Sequence, residues 1–266
     1  MIKSSIIILL LSLSSLFAID VDSYINQNNC DQIISKKSID ICYDYNLKVA
    51  KAVSYTLFGE LVNENNIEKR LSFRVERELD REYRASTTDY TKSGYDRGHL
   101  ACDAAFDWSQ DVLQDTYSLA NIIPQARKVN RYTWTKAERY ARFIATSLGD
   151  VQVINVVKYS QNPKRIGKNG IAVPIGFYKV LYNKNQDYQK CLYYENSNDI
   201  DTSNDRLKEH EVECSTVSFL DKPIRRTCSS FKNRNEAQNY YDNKQYGWAR
   251  LDGDKDEEAC ESLAWE

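Results

Sequence analysis

DYTKSGYDRGHLACDAAF, at residues 89–106, is the first of three stretches that decide the fold; SLANIIPQ follows at 118–125 and VNRYTWTKAERYAR at 129–142. In and beyond the third stretch, apolar residues recur at helical spacing, which predicts one long helix over 130–148. DRGH, at 96–99, therefore precedes a turn-rich stretch, which the segment 116–124 and the predicted helix follow.

Several strands are predicted on either side of these stretches. Apolar alternation or continuous apolar runs indicate strands at 51–57, 151–159, 171–182, 190–195 and 211–219. Because these strands are not regularly separated by helices, the fold class is predicted to be α+β, with a largely antiparallel sheet flanked by helices. Residues 23–45 are predicted to be helical and clamped by a disulfide. The charge-dense segment 64–90 is predicted to be mostly loop, and a domain boundary is predicted near 221–226.

The composition is that of an ordinary globular protein. The chain has 266 residues, 42% of them hydrophobic and 28% charged, with a net charge of −2. These values exclude a largely disordered chain. No period of 20 to 50 residues repeats, which argues against a solenoid.

The first 18 residues resemble a secretory signal peptide. Lys3 precedes an apolar run that fades into Ser, Leu and Ala, and cleavage is expected after Ala18. The alternative is an uncleaved anchor, although the apolar run is short for a bilayer span. The mature protein is therefore expected to be soluble and either periplasmic or secreted.

Seven cysteines in an exported chain favour disulfides over metal ligation, since none lies in a CxxC pair. Six of them form three pairs that are local in sequence, although sequence alone leaves other pairings open. The local pairs are Cys30 with Cys42, Cys191 with Cys214, and Cys228 with Cys260. Cys102 is left over and is expected to be a small buried residue.

Only two histidines are present, so a zinc site of several imidazoles cannot be built. His210 lies in a charged run and is expected to be a solvated loop or strand-edge residue. His99 follows Gly98, which allows close backbone approach, and lies near Arg97 and Asp96. A mechanism that depends on histidine is therefore expected to use His99.

The three stretches resemble, in motif order and spacing, the DNA/RNA non-specific endonucleases of the ββα-metal class. The likeness covers roughly 42–219 and is strongest over 89–142. It implies a Mg²⁺-dependent (or Mn²⁺-dependent) nuclease that leaves 5′-phosphate and 3′-hydroxyl ends. His99 would be the general base, Asn130 the metal ligand, and Asn121 a residue near both. Glu138 would hold waters of the metal, and Arg142 would reach phosphate.

The chemistry of these residues is compatible with that resemblance. A neutral imidazole can accept a proton from water, and hydrated Mg²⁺ needs few protein ligands. Asn130, Trp134, Glu138 and Arg142 are each four residues apart and so share one helix face. The same spacing also fits an ordinary helix face with a core tryptophan and a solvated Glu–Arg pair.

Several roles stay open in the sequence. Asn121 could instead be a turn residue that bonds its own backbone. Arg97 could contact phosphate or pair with Asp96. The resemblance implies a further upstream arginine on the phosphate, and the candidates are Arg74, Arg77, Arg81 and Arg84.

Local charge favours a polyanionic substrate. Residues 124–142 carry six basic side chains against one acidic side chain, and Arg127, Lys128 and Arg131 are the candidate substrate-binding cations. Recognition through phosphates carries little sequence information, so DNA and RNA are both expected substrates. No base-reading module is visible.

The C-terminal run LDGDKDEEACE, at 251–261, resembles the calcium-binding loop of excalibur modules. Alternate carboxylates followed by a distal glutamate suit a hard cation, and the candidate ligands are Asp252, Asp254, Asp256 and Glu261. Glu257 replaces the glycine of that pattern, which makes the tight turn harder to form. The alternative is an acidic solubilising tail.

The predicted organisation is therefore a signal peptide at 1–18, an endonuclease domain at 19–222 and a small disulfide-closed module at 223–266. The predicted function is hydrolysis of DNA and RNA. Two alternatives are a non-catalytic exported nucleic-acid-binding protein and a nuclease toxin with a cognate inhibitor.

Overall fold

The computed structural model describes residues 21–217, 227–243 and 248–265. The predicted signal peptide and the predicted boundary at 221–226 lie outside these residues. Within them, no helix is long and apolar enough to cross a membrane.

Eleven strands and three helices form the described structure. The strands are β1 (Gln32–Ser35), β2 (Ile39–Asp44), β3 (Val49–Leu57), β4 (Asp96–His99), β5 (Ile122–Gln125), β6 (Val151–Lys158), β7 (Arg165–Ile166), β8 (Ile171–Ala172), β9 (Gly176–Asn183), β10 (Tyr188–Glu195) and β11 (Glu211–Val212). The helices are α1 (Gln110–Thr116), α2 (Trp134–Leu148) and α3 (Arg234–Asp242).

A seven-stranded sheet in the order β1-β2-β3-β6-β9-β10-β11 is the centre of the molecule, and every neighbouring pair is antiparallel. β4 and β5 form a separate antiparallel pair, and α2 follows them in the chain. The predicted α+β class with an antiparallel sheet is confirmed.

The sheet buries both of its faces, because successive side chains of a strand point to opposite sides. In β6, Val153 and Val157 join the larger core cluster, to which α2 also contributes. Ile154 and Val156 join a smaller cluster on the opposite face, which Tyr24 covers from the N-terminal segment. The larger core therefore lies between the sheet and the helix that carries the candidate site.

The prediction of a helical segment at 23–45 is wrong. After a short 3₁₀ turn at Val21–Ser23, the chain forms the β1–β2 hairpin. Ile39, Ile41 and Tyr43 alternate along β2 and are all buried, which is the period of a strand. Pairing of β2 with β3 satisfies the backbone of this segment in the sheet.

Two other predicted strands are shorter than expected. The predicted strand at 171–182 is divided into β8 and β9, which flank Pro174, a residue without a backbone N–H for a ladder. The predicted strand at 211–219 ends at Val212, and a 3₁₀ turn follows at Cys214–Thr216. Residues 218 and 219 of this prediction lie outside the described residues.

The predicted helix at 130–148 is confirmed, with one irregularity. Its first turn, Val129–Thr133, is π-helical, and the α-helix continues from Trp134 to Leu148. Gly149 ends it with a φ of +86°, a conformation that favours glycine. Single π-helical turns are frequent at functional sites.

The three local disulfides are also confirmed: Cys30–Cys42, Cys191–Cys214 and Cys228–Cys260. Cys102 is free and buried, as expected.

Candidate active site

His99 lies at the end of β4, and its ring forms a three-membered aromatic cluster with two neighbouring side chains. The ring centroids of Phe73 and Tyr117 are 5.3 and 5.2 Å from that of His99. Desolvation by this burial lowers the pKa of His99 to about 4, so the imidazole is neutral at pH 7. Its Nε2 is buried and has no hydrogen-bond partner among the described residues. The ring is therefore in the form that can accept a proton.

Gly98 brings β4 close to β5. A Cβ added at Gly98 would lie 2.1 Å from Oε1 of Gln125. The space that a side chain at Gly98 would need is therefore filled by the side chain of Gln125, which would have to shift to admit a Cβ before His99.

Asn121 fixes the backbone that follows His99. Its Oδ1 accepts from the backbone N–H of Ala101, and its Nδ2 donates to the carbonyls of Ala101 and Thr116, each at 2.9 Å. The side chain is fully buried. Asn121 therefore does not hydrogen-bond its own backbone, and both polar atoms of its side chain are already bonded within the protein. Its side chain holds the backbone segment that follows His99 in place.

Asp96 connects β4 with the π-helical turn. Its Oδ2 accepts from Nδ2 of Asn130 at 3.1 Å, and both of its oxygens accept from the guanidinium of Arg131, at 2.7 and 2.9 Å. Arg127 Nε lies 3.9 Å from Oδ1. The hydrogen bond and charge of Arg131 are among the causes that lower the pKa of Asp96. The carboxyl group is therefore ionised at neutral pH.

Arg97 is exposed, and its guanidinium carbon lies 4.8 Å from the centroid of the Phe73 ring. The partners of Asp96 are Asn130, Arg131 and Arg127, so the suggested Arg97–Asp96 pair is wrong. Arg97 instead lines a cleft of about 400 Å³. The cleft is lined by Phe73, Thr87, Tyr90, Thr91, Tyr95, Asp96, Arg97, Asn130 and Arg131.

Glu138 and Arg142 lie further along α2 and are both partly buried. Burial raises the pKa of Glu138 to about 7, while the charges of Lys179 and Arg142 oppose that increase. Arg142 Nη1 lies 3.6 Å from Sγ of Cys102. The alternative of a solvated Glu–Arg pair is therefore wrong, although Trp134 is a core residue as that alternative expected.

Among the upstream arginines, Arg74 donates to the carbonyl of Gln114 and to Asp115, and Arg84 donates to the carbonyls of Leu79 and Arg77. These bonds give Arg74 and Arg84 structural partners within the fold.

Arg70 was not among the arginines selected from the sequence, but unlike Arg74 and Arg84 it is connected to the surroundings of His99. Its Nη1 lies 3.5 Å from Asp103 and 3.7 Å from Asp107, and Asp103 accepts from the hydroxyl of Tyr117, which packs on His99. The charge of Arg70 contributes to the lowered pKa of His99. No spacing in the sequence distinguished Arg70 from the other arginines.

Two of the three candidate substrate-binding cations already face Asp96. Arg127 and Arg131 are exposed but are held by that carboxylate. Lys128 is exposed, and its Nζ donates to the carbonyl of Ile200 at 3.1 Å. The exposed cations therefore form a surface beside the cleft whose positive charge Asp96 partly neutralises.

The side chain of His210 is partly buried, with 21% of it exposed. Its ring nitrogens are 2.6 Å from Oδ1 of Asp205 and 3.1 Å from the carbonyl of Tyr193, and its ring stacks on Tyr194 at 3.8 Å. Both ring nitrogens therefore have structural partners, and His210 ends a 3₁₀ turn directly before β11, the edge strand of the sheet, which matches the strand-edge half of the expectation and not the solvated-loop half.

The acidic C-terminal loop is organised around Asp252, whose carboxylate accepts from the hydroxyl of Tyr241 and from the backbone N–H of Lys255, Asp256 and Glu257. The carboxylates of Asp252, Asp254 and Asp256 lie within 4.8 Å of one another, and so do those of Asp256, Glu258 and Glu261. The predicted ligands therefore fall into two adjoining groups.

The C-terminal segment also contacts the main body. Trp248 is buried in the larger core, and Nε of Arg250 lies 3.0 Å from Oδ1 of Asp31. Glu257 has a φ of +73°, the left-handed conformation in which the related pattern has glycine.

A two-stranded antiparallel unit followed by a helix, with a neutral imidazole on the first strand and a carboxamide at the helix start, defines a ββα-type site. The sequence comparisons agree. The family model for DNA/RNA non-specific endonucleases matches residues 21–242, and the chain belongs to that family.

Named relatives are similar over part of their length. Human mitochondrial endonuclease G is 34% identical over 164 residues, which cover 56% of this chain and 54% of that protein. The mitochondrial nuclease of Saccharomyces cerevisiae is 29% identical over 154 residues, which cover 53% of this chain and 50% of that protein. The chain thus spans about half the length of these relatives.

A solved structure has a similar fold. The crystal structure of the EndoG/EndoGI complex, which concerns the mechanism of EndoG inhibition, matches with a TM-score of 0.61 and 26% identity. The match covers 68% of this chain and 80% of that chain.

Proposed function

We propose that this protein is a metal-dependent endonuclease that hydrolyses phosphodiester bonds in DNA and RNA with little sequence specificity. The observation that carries the proposal is the neutral imidazole of His99, whose Nε2 is buried and unbonded among the described residues. An unpaired buried nitrogen is unfavourable for folding, so its retention is explained by a proton that it accepts during a reaction. The family membership and the named nucleases support the same function.

Asn130 fits the role of a magnesium ligand. Because a carboxylate can only accept hydrogen bonds, the bond to Asp96 turns the amide nitrogen of Asn130 toward Asp96 and leaves Oδ1 for another partner. No described residue donates to that Oδ1. A single neutral oxygen suits Mg²⁺, which keeps most of its waters, and Mn²⁺ is an acceptable substitute. The bound cation would supply positive charge beside the scissile phosphate.

The chain's own residues perform the remaining steps. His99 accepts the proton of the attacking water, and the water oxygen forms a bond to phosphorus as the bond to the 3′ oxygen breaks. Arg70, Arg97 and Arg142 stabilise negative charge on the phosphate. The leaving 3′ oxygen takes a proton from solvent water and His99 returns its own proton to solvent, which gives 5′-phosphate and 3′-hydroxyl products. End-labelling before and after phosphatase treatment identifies these ends, and 3′-phosphate ends would contradict this direction of attack.

Substrate binding is proposed to rest on phosphate contacts of Arg127, Lys128 and Arg131. Such contacts read charge and not bases, so single- and double-stranded DNA and RNA are all expected substrates. Cleavage should weaken steeply with added salt because binding releases counterions. A variant that changed sequence preference without changing overall affinity would count against this recognition mode.

A periplasmic or secreted location is part of the proposal. Its support is the predicted signal peptide together with three disulfides, which form and persist in oxidising compartments. Detection of the protein in a periplasmic or culture fraction, with Ile19 as the first residue, is the direct test.

Calcium binding by the acidic loop also stays a proposal. Asp254, Asp256 and Glu261 bring several carboxylates together, and two of them contribute to the raised pKa of Glu261. A cation would relieve that repulsion. Titration of the full chain with Ca²⁺ should therefore raise its melting temperature by mass action, in the wild type but not in Asp254→Asn/Asp256→Asn. Equal melting temperatures with and without millimolar Ca²⁺ would refute calcium binding and support the alternative of an acidic solubilising tail.

The experiment that tests the nuclease proposal is incubation of the mature protein with plasmid DNA and with RNA, with Mg²⁺ and with EDTA. The wild type should cut both substrates only with metal, whereas His99→Ala should lose ~10²- to 10⁴-fold in turnover and keep its affinity for DNA. His210→Ala is the matched control and should retain turnover. A wild-type protein that binds but never cuts would establish the non-catalytic alternative. Wild-type turnover by His99→Ala would remove His99 as the base.

Asn130→Ala tests the metal ligand in the same assay. It should raise the Mg²⁺ concentration needed for half-maximal turnover, because it removes the proposed protein ligand. Isothermal titration with Mg²⁺ in the absence of nucleic acid gives a second readout. An unchanged Mg²⁺ affinity in both measurements would exclude Asn130 from that role.

A further inference from the structure

Lys179 is a fully buried lysine in the middle of the sheet. It lies in β9 between Tyr178 and Val180, which face the smaller core, so its own side chain faces the larger core beneath α2. Burying an ammonium group is unfavourable unless it is paired and hydrogen-bonded. The described packing of the sheet gives no reason for a lysine here instead of an apolar residue.

Hydrogen bonds connect Lys179 to the backbone beside His99 in the candidate site. Its Nζ donates to Oδ1 of Asn155 at 2.8 Å, and these two residues are directly opposite each other in the β6–β9 pair. The same Nζ lies 4.3 Å from the ring centroid of Trp134 on α2. Nδ2 of Asn155 then donates at 2.7 Å to the carbonyl of Leu100, the residue after His99. A buried chain of two hydrogen bonds thus links Lys179 to the backbone that follows His99.

Lys179 is also an electrostatic partner of Glu138. The charge of Lys179 is the largest influence that opposes the raised pKa of Glu138, and Glu138 in turn opposes the effect of burial that lowers the pKa of Lys179 to about 8. Arg142 on α2 acts on Glu138 in the same direction as Lys179, whereas Asp103 in the turn after β4 acts against it. Cys102 and Tyr55, on the neighbouring elements, are neutral groups near Glu138, and burial keeps each pKa high.

We propose that Lys179 is a positioning residue of this active site: its hydrogen bond to Asn155 fixes the backbone beside His99, and its ammonium group lies beneath Trp134 on the face of α2 that also carries Glu138. The inference rests on the proposed nuclease function and extends it to a residue that contacts neither substrate nor metal. The proposed role also explains why the core contains the ammonium group of Lys179.

Lys179→Met is the direct test, measured with plasmid DNA and Mg²⁺. The variant removes one member of a buried pair and leaves Glu138 without its main opposing charge, so its melting temperature should fall and its kcat is measured well below that temperature. Its kcat should fall ~10-fold or more, while KM and the affinity for uncut DNA change less than ~3-fold, since a residue acting only on the transition state changes kcat. The acidic limb of its kcat profile should move to higher pH, because Glu138 loses the charge that most strongly opposes its raised pKa.

Lys190→Met is the matched control. Lys190 lies on the neighbouring strand β10 and pairs with Glu211 near the surface, so the same chemical change there should leave kcat and its pH profile unchanged. In a Glu138→Gln background, Lys179→Met should cost much less kcat than in the wild type, since residues that act through one another are not additive.

Lys179→Gln is the second variant, because it keeps a donor near Asn155 without the charge. It should retain the fold and show the same shift of the acidic limb. Wild-type kcat and pH profile in either folded variant would overturn the inference, and so would loss of the folded state in both, since Lys179 would then be a folding residue. A wild-type protein without nuclease activity in the same assay would instead refute the proposed function.

Discussion

Nδ2 of Asn130 donates a hydrogen bond of 3.1 Å to Oδ2 of Asp96, and this bond joins the first strand of the ββα unit to the first turn of its helix. The same carboxylate also accepts two bonds from Arg131 and faces Arg127. One aspartate therefore orients the proposed metal ligand and neutralises part of the positive surface beside the cleft.

Asp96→Ala is expected to separate binding from cleavage. Release of Arg127 and Arg131 should tighten DNA binding several-fold at low salt, because each freed cation can contact a phosphate. Turnover should fall at least ~10-fold, since the Asn130 amide loses its orientation. Fluorescence anisotropy in EDTA measures binding, and plasmid cleavage with Mg²⁺ measures turnover. Asp111→Ala, which removes an exposed carboxylate paired with Lys37, is the control for both. Weaker DNA binding by Asp96→Ala would contradict the assignment.

His99 should make folding stability depend on pH. Its pKa is about 4 in the folded protein, below the ordinary value of 6.5, so the unfolded state binds more protons between these values and stability falls as the pH decreases through that window. Between pH 7 and pH 5 this group should account for about 2 kcal/mol of lost unfolding free energy. Urea unfolding of wild type and His99→Asn at both pH values measures it. An equal pH dependence in the two proteins would show that His99 is not desolvated.

Arg70 and Arg74 should differ in the kind of defect that they cause. Arg70→Ala is expected to reduce turnover ~10- to 100-fold, because Arg70 is the described upstream arginine whose charge acts on His99. Arg74→Ala should lower the melting temperature and leave turnover intact, because Arg74 bonds Gln114 and Asp115. Thermal unfolding and plasmid cleavage on both variants decide this. A reversed pattern would assign the phosphate contact to Arg74.

Glu257→Gly should stabilise the C-terminal loop. Glu257 has a φ of +73°, which glycine adopts without a Cβ penalty, and the expected gain is about 1 kcal/mol. Thermal unfolding and protection of the 252–257 amides from hydrogen exchange measure it. Glu258→Gly is the control: its backbone is not among the positive-φ positions, so it should gain nothing. Lower protection in Glu257→Gly would show that its side chain stabilises the loop.

The sequence by itself determined the features that depend on neighbours along the chain. The spacing of Trp134, Ala137 and Ala141 defined the helix because helical periodicity is local, and closeness in sequence correctly indicated the three disulfides. The identity of His99 as the only histidine in a suitable motif also followed from the chain. The β1–β2 hairpin was missed because its stability comes from pairing with β3 and not from its own turn.

Only the tertiary structure decided the partners of the site residues. Asp96 meets Arg131 from 35 residues away, Asn155 meets Leu100 from 55 residues away, and Arg70 meets Asp103 across the chain. The sequence shows Lys179 only as a lysine within an apolar strand. The sheet pairing places it opposite Asn155 and beneath Trp134. Burial and charge act through space, so the pKa of His99 and that of Glu138 depend on groups that no local pattern specifies.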